Sequence, residues 1–155
     1  PCLIINMFDI RYLNLVNQFN TQMTNKSKKI ILEVSAGELL DKISILEIKL
    51  VKIKNPDSQQ EINKEYKLLK EAQASNMEMS DKINLLFGEI KEVNLKLWNI
   101  EDKLRICEKN KDFGKNFTEL ARGVYLNNDK RSKIKLKINK ILGSNIREIK
   151  QYVNY

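Results

Sequence analysis

The chain has 155 residues, with 28 Lys and Arg against 20 Asp and Glu, which gives a formal net charge of +8. It contains no His, two Cys, five Gly and two Pro. The length fits one domain with a substantial core. The lack of His excludes Ser/His/Asp and Cys/His catalytic arrangements and His-ligated zinc. The scarcity of Gly and Pro favours long helices over a turn-rich β fold.

Residues 1–23 are predicted to be an N-terminal extension that can form an amphipathic helix. Apolar residues recur there at steps of three and four, at Ile5, Phe8, Tyr12, Leu15 and Phe19. Residues 24–155 are predicted to be a single helical domain, because the Met at position 23 fits a natural start. No run reaches the length of a membrane span, and the first residues lack the basic region of a signal peptide.

Residues 29–35 alternate apolar and polar side chains, which is typical of a short strand. The segment near residues 145–153 is the local candidate to pair with it, although its apolar spacing fits a helix equally well. Ser35 and Glu38 then form an S-x-x-E capping box, which predicts a helix that runs to about Lys54.

The sequence Asn55-Pro56-Asp57 predicts a turn, and a second helix is expected from about Ser58 to Ala74. After Ser80 the longest helix follows, with apolar residues at alternating steps of three and four over four heptads. These positions are Ile83, Leu86, Ile90, Val93, Leu97, Ile100, Leu104 and Cys107.

Further apolar residues of the third helix lie beside this seam, and we expect several neighbouring helices to cover them. They are Leu85, Leu95, Trp98 and Ile106. Residues 117–129 and 130–143 are predicted to form a fourth and a fifth helix. The residues expected to face inward are Phe117, Leu120 and Val124 in the fourth helix and Ile134, Ile138 and Ile141 in the fifth. Gly143 is the expected C-cap. The predicted fold class is all-α, a helical bundle built on a long helical hairpin.

Three segments carry a resemblance to a known family: GELLDKISILEIK, NLKLWNIED and LARGVYLNNDKR. Together with neighbouring residues, from about 30 to 152, the chain resembles a family of small bacterial helical proteins that is known as a domain of unknown function. The resemblance implies one helical domain and no established activity. A link to surface-polysaccharide metabolism is a weaker expectation from the same resemblance.

A polar stripe lies beside the apolar seam of the third helix. It consists of Asn94, Trp98, Glu101, Arg105 and Glu108 at steps of four and three. Two hypotheses stay open for it: interhelical salt bridges, or a polar cleft for an anionic or sugar-like ligand. The candidate ligand-binding residues are Glu47, Trp98, Glu101, Arg105, Arg122, Tyr125, Asn128, Asp129 and Arg131. Burial of Glu47 would require a cationic partner such as Arg105, Arg122 or Lys42.

Magnesium-dependent nucleotide hydrolysis is a third, weaker hypothesis, because all-α pyrophosphohydrolases use paired carboxylates and no His. Glu38 with Asp41 and Glu89 with Glu92 supply such pairs, but in the reverse order of that family. We therefore expect no catalytic residues, no metal site and no cofactor.

The function predicted from the sequence is a non-enzymatic interaction or accessory module that self-associates or binds a partner protein. The alternative is a ligand-binding or catalytic helical protein that acts on a phosphorylated or sugar-nucleotide compound. Nucleic acid is a less favoured partner, and the basic segment 129–150 would be its surface. Cys107 lies on the apolar stripe, which favours a buried thiol in a reducing compartment and hence a cytoplasmic protein.

Overall fold

The computed structural model describes residues 30–151 and 153. The chain divides into two compact units, residues 1–32 and 33–155, and the second unit contains four helices. They are α1 (Ala36–Lys52), α2 (Pro56–Asn76), α3 (Asp81–Asn110) and α4 (Lys115–Ile141). The fold is therefore an all-α bundle, as predicted. The predicted amphipathic helix over residues 1–23 lies outside the described residues.

The long helix predicted after Ser80 is confirmed as α3, with Ser80 at its N-cap position. All eight predicted seam positions are buried except Leu104, which is half-buried. Helix α3 pairs with α4 in the largest helix–helix contact of the described structure. This α3–α4 hairpin is the framework on which the other helices lie.

Helix α1 contacts each of the other three helices, whereas α2 contacts α1 alone among the described helices. Ser35 caps α1 as predicted, because its Oγ accepts a hydrogen bond from the Glu38 N–H. Leu40, Ile43 and Leu46 of α1 are almost completely buried. Burying a side chain of this size stabilises the fold by about 1.5–3 kcal/mol, so the α1 contacts contribute much of the stability of the core.

Two predictions about secondary structure are wrong. The fourth and fifth predicted helices are one continuous helix, α4. Its weakest helix formers, around residues 127–129, stay helical because α4 packs on both α3 and α1; the Asn127 side chain donates to the Gly123 carbonyl at 2.6 Å. The predicted strand is also absent: no residue among 30–151 and 153 lies in a strand, and residues 30–35 have no regular structure. Residues 146–151 have none either, so no ladder partner exists within the described residues.

The sequence also predicted that neighbouring helices cover the apolar residues beside the seam of α3. This prediction is wrong at most of these positions. Leu85, Leu95 and Ile106 are exposed, and Trp98 is half-buried. Ile141, predicted to face inward from α4, is exposed as well. Among the four described helices, α2 packs on α1 and not on α3, so fewer of them surround α3 than the pattern suggested.

The α3–α4 hairpin has two sections that differ in burial. In the proximal section, residues 83–100 of α3 and 127–139 of α4, α1 lies across the hairpin and most seam residues are buried. In the distal section, residues 101–110 and 115–126, only Cys107 is buried. A two-helix hairpin cannot cover its own seam on both sides, so the distal section keeps a half-exposed apolar furrow.

Candidate functional site

A buried polar cluster joins α1 to both helices of the hairpin. Asp41 on α1 is only 2% exposed. Its Oδ1 accepts from Asn94 Nδ2 at 2.7 Å, and its two oxygens accept from Arg131 at distances from 2.6 to 3.0 Å. Asn94 Nδ2 also donates to Ser44 Oγ at 2.7 Å. This cluster is satisfied internally, as burial of its charges requires.

The guanidinium of Arg131 is fixed by this cluster. Burial alone would lower the pKa of Arg131, but the hydrogen bonds and the charge of Asp41 outweigh it and raise that pKa. One remaining donor, Nη1, lies 3.4 Å from the Asn128 Oδ1. Arg131 is therefore permanently charged and held in one orientation at the edge of the cluster.

A second group of ion pairs lies one turn further along α4. The Lys135 ammonium donates to the Glu38 carboxylate and to Glu148 Oε2, the latter at 3.1 Å. Burial opposes the charged form of Lys135, yet these hydrogen bonds raise its pKa. The pKa of Glu148 is lowered, chiefly by the hydrogen bond from Lys135. These contacts connect α1, α4 and the segment after α4.

The start of α1 lies directly against α4 at Gly37. A Cβ at this position would lie 2.7 Å from the Lys135 carbonyl oxygen and 2.8 Å from Asn139 Oδ1. The Gly37 N–H instead donates to Asn139 Oδ1 at 2.6 Å, and the Ala36 N–H donates to Ser144 Oγ at 3.0 Å. Two of the N-terminal amides of α1 are therefore satisfied by α4 and the residue that follows Gly143.

Gly143 and Ser144 terminate α4. Gly143 has φ +64°, and the Ser144 N–H donates to the Asn139 carbonyl at 2.9 Å, which is the Schellman pattern. Gly143 thus ends the helix as predicted. This turn also brings Ser144 to the start of α1.

An open groove lies where the C-terminal half of α1 meets the hairpin. Its volume is about 390 Å³, within the range of about 300–1,000 Å³ that is usual for small-molecule sites. The groove is lined by Ile45, Ile48, Asn94, Leu97, Trp98, Glu101, Asp102, Arg105, Asn128 and Arg131. We call it the Trp98 groove.

The furrow continues from this groove into the distal section of the hairpin. A second depression of about 480 Å³ follows there, lined by Glu101, Leu104, Arg105, Glu108, Phe117, Ala121 and Val124. We call this part the distal furrow. It shares Glu101 and Arg105 with the Trp98 groove, so the two depressions adjoin.

Five of the nine predicted site residues lie together in the Trp98 groove. They are Trp98, Glu101, Arg105, Asn128 and Arg131. Arg105 is 70% exposed, and its Nη2 lies 3.4 Å from Glu101 Oε2. The polar stripe of α3 thus forms one wall of an open groove as well as a local salt bridge.

Glu47 lies elsewhere, between α1, α2 and α3. Its Oε2 accepts from Lys91 at 2.6 Å, and its Oε1 accepts from the Tyr66 hydroxyl at 3.3 Å. The predicted partners are wrong, because Lys42, Arg105 and Arg122 pair with other carboxylates. Burial and the charge of Glu47 raise the pKa of Tyr66.

The other three predicted residues do not line the groove. Arg122 is exposed, its Nη1 lies 3.9 Å from Glu119, and a hydrogen bond with Tyr125 raises its pKa. Tyr125 is exposed and Asp129 is half-buried, and both make interactions of their own. The spacing of α4 explains this outcome, since these positions lie to the side of the face that carries Asn128 and Arg131.

The sequence reasoning missed Asp102 as a candidate and considered Asp41 only as half of a carboxylate pair for magnesium. Asp102 lines the groove, and its position four residues after Trp98 could have placed it there. Asp41 anchors Arg131, and its place between the buried Leu40 and Ile43 was the available signal, since a carboxylate there requires partners.

Of the two carboxylate pairs considered for magnesium, the first is engaged by cationic side chains. Glu38 and Asp41 are paired with Lys135 and Arg131. Glu92 is exposed on α3. Within residues 30–151 and 153, no group of three or more Asp, Glu or Cys residues is arranged to hold a metal ion.

The basic segment 129–150 separates into two sets. Arg131 and Lys135 turn inward to carboxylates of α1. Four lysines at helical spacing face solvent: Lys130, Lys133, Lys137 and Lys140. The exposed set is a solvated helix face of one sign.

Comparisons with known proteins give one match. The model of DUF6165, described as a family of unknown function, matches residues 30–154. No curated protein and no solved structure matches the chain. In the part of the chain that the structure describes, none of the helices combines the length and the apolar character that crossing a membrane requires.

Proposed function

We propose that this chain, which belongs to the DUF6165 family, is a non-enzymatic helical interaction module whose distal furrow binds a second copy of the chain. The observation that carries the proposal is the difference in burial along one hairpin. The furrow that α1 fills in the proximal section continues past the end of α1, and no described helix fills it there.

The apolar floor of the distal furrow supports a helical occupant. Leu104, Phe117 and Val124 are half-buried rather than exposed, so a helix seated over them would complete their burial. The small side chain of Ala121 lies between Phe117 and Val124 and leaves room for a close approach. Helix-in-groove recognition uses this combination of apolar floor and open length.

The charges at the rim favour a second copy of the chain over a partner whose surface charges all have the same sign. Along α3 the rim alternates between Glu101, Arg105 and Glu108. A rim with alternating signs can pair with itself in an antiparallel arrangement, whereas a rim of one sign would repel its own copy.

The size of the distal section sets the strength of the association. Residues 101–110 extend about 15 Å at 1.5 Å per residue, and two adjacent helices are about 20 Å wide. This face is smaller than the roughly 800 Å² per partner of a standard interface, so we expect a weak, micromolar dimer.

Light scattering and sedimentation velocity on the full chain test the proposal. The average mass should rise above the 18.2 kDa of one chain as the concentration increases. Ala121→Arg places a long cation on the furrow floor and should weaken the association at least about tenfold. Leu126→Arg, on the opposite face of α4, is the matched control and should leave the association unchanged.

Two results would reject the proposal. One is a mass that stays at 18.2 kDa at every concentration. The other is an association that Leu126→Arg abolishes and Ala121→Arg leaves intact, which would place the interface on the other face of the helix.

A further inference from the structure

The geometry of the Trp98 groove points to a second activity: we infer that it is a binding site for an uncharged carbohydrate. This site adjoins the distal furrow and shares Glu101 and Arg105 with it, but sugar binding there does not require the self-association proposed above. The inference rests on three properties of the groove: its aromatic and aliphatic wall, its fixed polar groups and its balanced charge.

The wall of the groove combines one indole with aliphatic side chains. Trp98 is half-buried, and Ile45, Ile48 and Leu97 line the same depression. A sugar ring has an apolar face of C–H groups and an edge of hydroxyls, so an indole beside aliphatic carbon suits one side of it. A groove of about 390 Å³ has room for a small saccharide.

The polar groups of the groove supply both donors and acceptors. Glu101 and Asp102 accept hydrogen bonds, Arg105 and Arg131 donate them, and the amide of Asn128 does both. Hydroxyl groups also donate and accept, so a sugar can use every one of these side chains. A ligand with acceptors only could form no hydrogen bond with either carboxylate.

Arg131 is prepared for this role before any ligand arrives. Its Nε and Nη2 are engaged by the buried Asp41, and only its Nη1 side lies toward Asn128 at 3.4 Å. A donor whose orientation is already fixed loses little conformational entropy when a ligand binds. The buried cluster therefore positions one edge of the groove.

The charges decide between a neutral and an anionic ligand. Glu101 and Asp102 balance Arg105 and Arg131, and Asp41 behind Arg131 adds one further negative charge. A phosphate dianion would therefore meet no net attraction in the groove. A quaternary ammonium ion has neither an acceptor for the guanidinium groups of Arg105 and Arg131 nor an N–H donor for the carboxylates, so it would leave the polar groups of the groove unused. An uncharged sugar meets neither penalty, so the groove favours a neutral ligand over a charged one.

Trp98 is the only tryptophan of the chain, so its fluorescence reports directly on the groove. The full chain at low micromolar concentration is titrated with glucose, galactose, mannose and N-acetylglucosamine and with disaccharides of each. Glucose 6-phosphate and choline are the charged comparison ligands. At least one neutral sugar should change the Trp98 emission saturably, with a Kd that is independent of salt because no net charge is bound.

Four variants connect this signal to the groove. Asp102→Asn replaces an exposed carboxylate of the groove and should weaken binding about tenfold. Glu92→Gln makes the same change on the exposed surface of α3 outside the groove and should leave the Kd unchanged. Trp98→Tyr should retain binding in calorimetry, while Trp98→Leu, which keeps apolar volume without an aromatic face, should weaken it about tenfold.

Three results would overturn the inference. The first is that no neutral sugar changes the Trp98 emission saturably at concentrations up to about 100 mM. The second is that glucose 6-phosphate binds more tightly than the neutral sugars and that its Kd depends on salt. The third is that Asp102→Asn and Glu92→Gln change the Kd equally. The Ala121→Arg variant should bind the same sugar with the same Kd as the unmodified chain. A failure of self-association can therefore be distinguished from a failure of sugar binding.

Discussion

The proximal and distal sections of the α3–α4 hairpin carry the same apolar period but have different surroundings. In the proximal section α1 lies across the seam and is held there by Asp41 and Lys135 contacts. In the distal section no helix among residues 30–151 lies over the same seam. The apolar period alone therefore determines which face is turned inward, while the tertiary neighbours determine whether that face is buried. A fold that keeps one section of such a seam open has a surface available for another molecule.

Truncation of one seam residue in each section gives the largest expected difference. Ile90→Ala in the proximal section removes a side chain with no exposed surface and should cost about 4 kcal/mol in the free energy of unfolding. Leu104→Ala in the distal section should cost about 1–2 kcal/mol, because water and the half-exposed surroundings can fill the space. Urea denaturation at low protein concentration measures both. Equal losses would remove the distinction between the sections.

Removal of the Asp41 carboxylate, which pairs with Arg131 in the proximal section, should have the next largest effect on stability. Asp41→Ala leaves the guanidinium of Arg131 partly buried without its carboxylate, and the expected loss of stability is about 3 kcal/mol. Glu92→Ala, an exposed carboxylate on α3, should stay within about 0.5 kcal/mol of the unmodified chain. A loss below about 1 kcal/mol for Asp41→Ala would mean that this ion pair does not hold α1 on the hairpin.

Two glycines should respond to the same substitution with opposite signs. Gly37→Ala brings a Cβ against the backbone of α4 and should destabilise the fold by about 1–3 kcal/mol, although Ala favours helix. Gly88→Ala meets no atom within 4 Å and should stabilise the fold by about 0.5–1 kcal/mol. Thermal unfolding of both variants checks the signs. Stabilisation by Gly37→Ala would contradict the close approach of α1 to α4.

A smaller effect is expected at alkaline pH. The folded-state pKa values of Lys135 and Tyr66 are raised above their ordinary values of 10.5 and 10.0. The stability that each contributes is complete below its ordinary pKa and is lost as the pH rises through the folded-state pKa. The free energy of unfolding should therefore fall above about pH 10. Lys135→Met should reduce this slope, whereas the exposed Lys133→Met should leave it unchanged; equal slopes in both variants would contradict the assignment.

The sequence predicted well those features that depend on local spacing. The seam from Ile83 to Cys107, the capping of α1 by Ser35 and the end of α4 at Gly143 all follow from neighbours within a few turns. The grouping of Trp98 with Glu101 and Arg105 in one wall of a groove also follows from helical spacing.

The features that depend on distant residues were not predictable in this way. Asp41 and Arg131 are 90 positions apart, and nothing local indicates their pairing. Glu47 was expected beside Arg105 or Arg122 but lies beside Lys91, because a small rotation of α1 decides which side each carboxylate faces. The break expected within α4 was wrong because the contacts of this helix with α1 and α3 outweigh the low helix propensity of residues 127–129.

Amide hydrogen exchange at two protein concentrations tests the role of the distal section most directly. At about 500 µM, compared with about 10 µM, we predict slower exchange of the amides in residues 101–110 and 115–126, because a second copy covers the distal furrow. Exchange in the proximal section should not depend on concentration. Exchange in the distal section that is the same at both concentrations, or protection that appears on another face instead, would contradict self-association through this furrow.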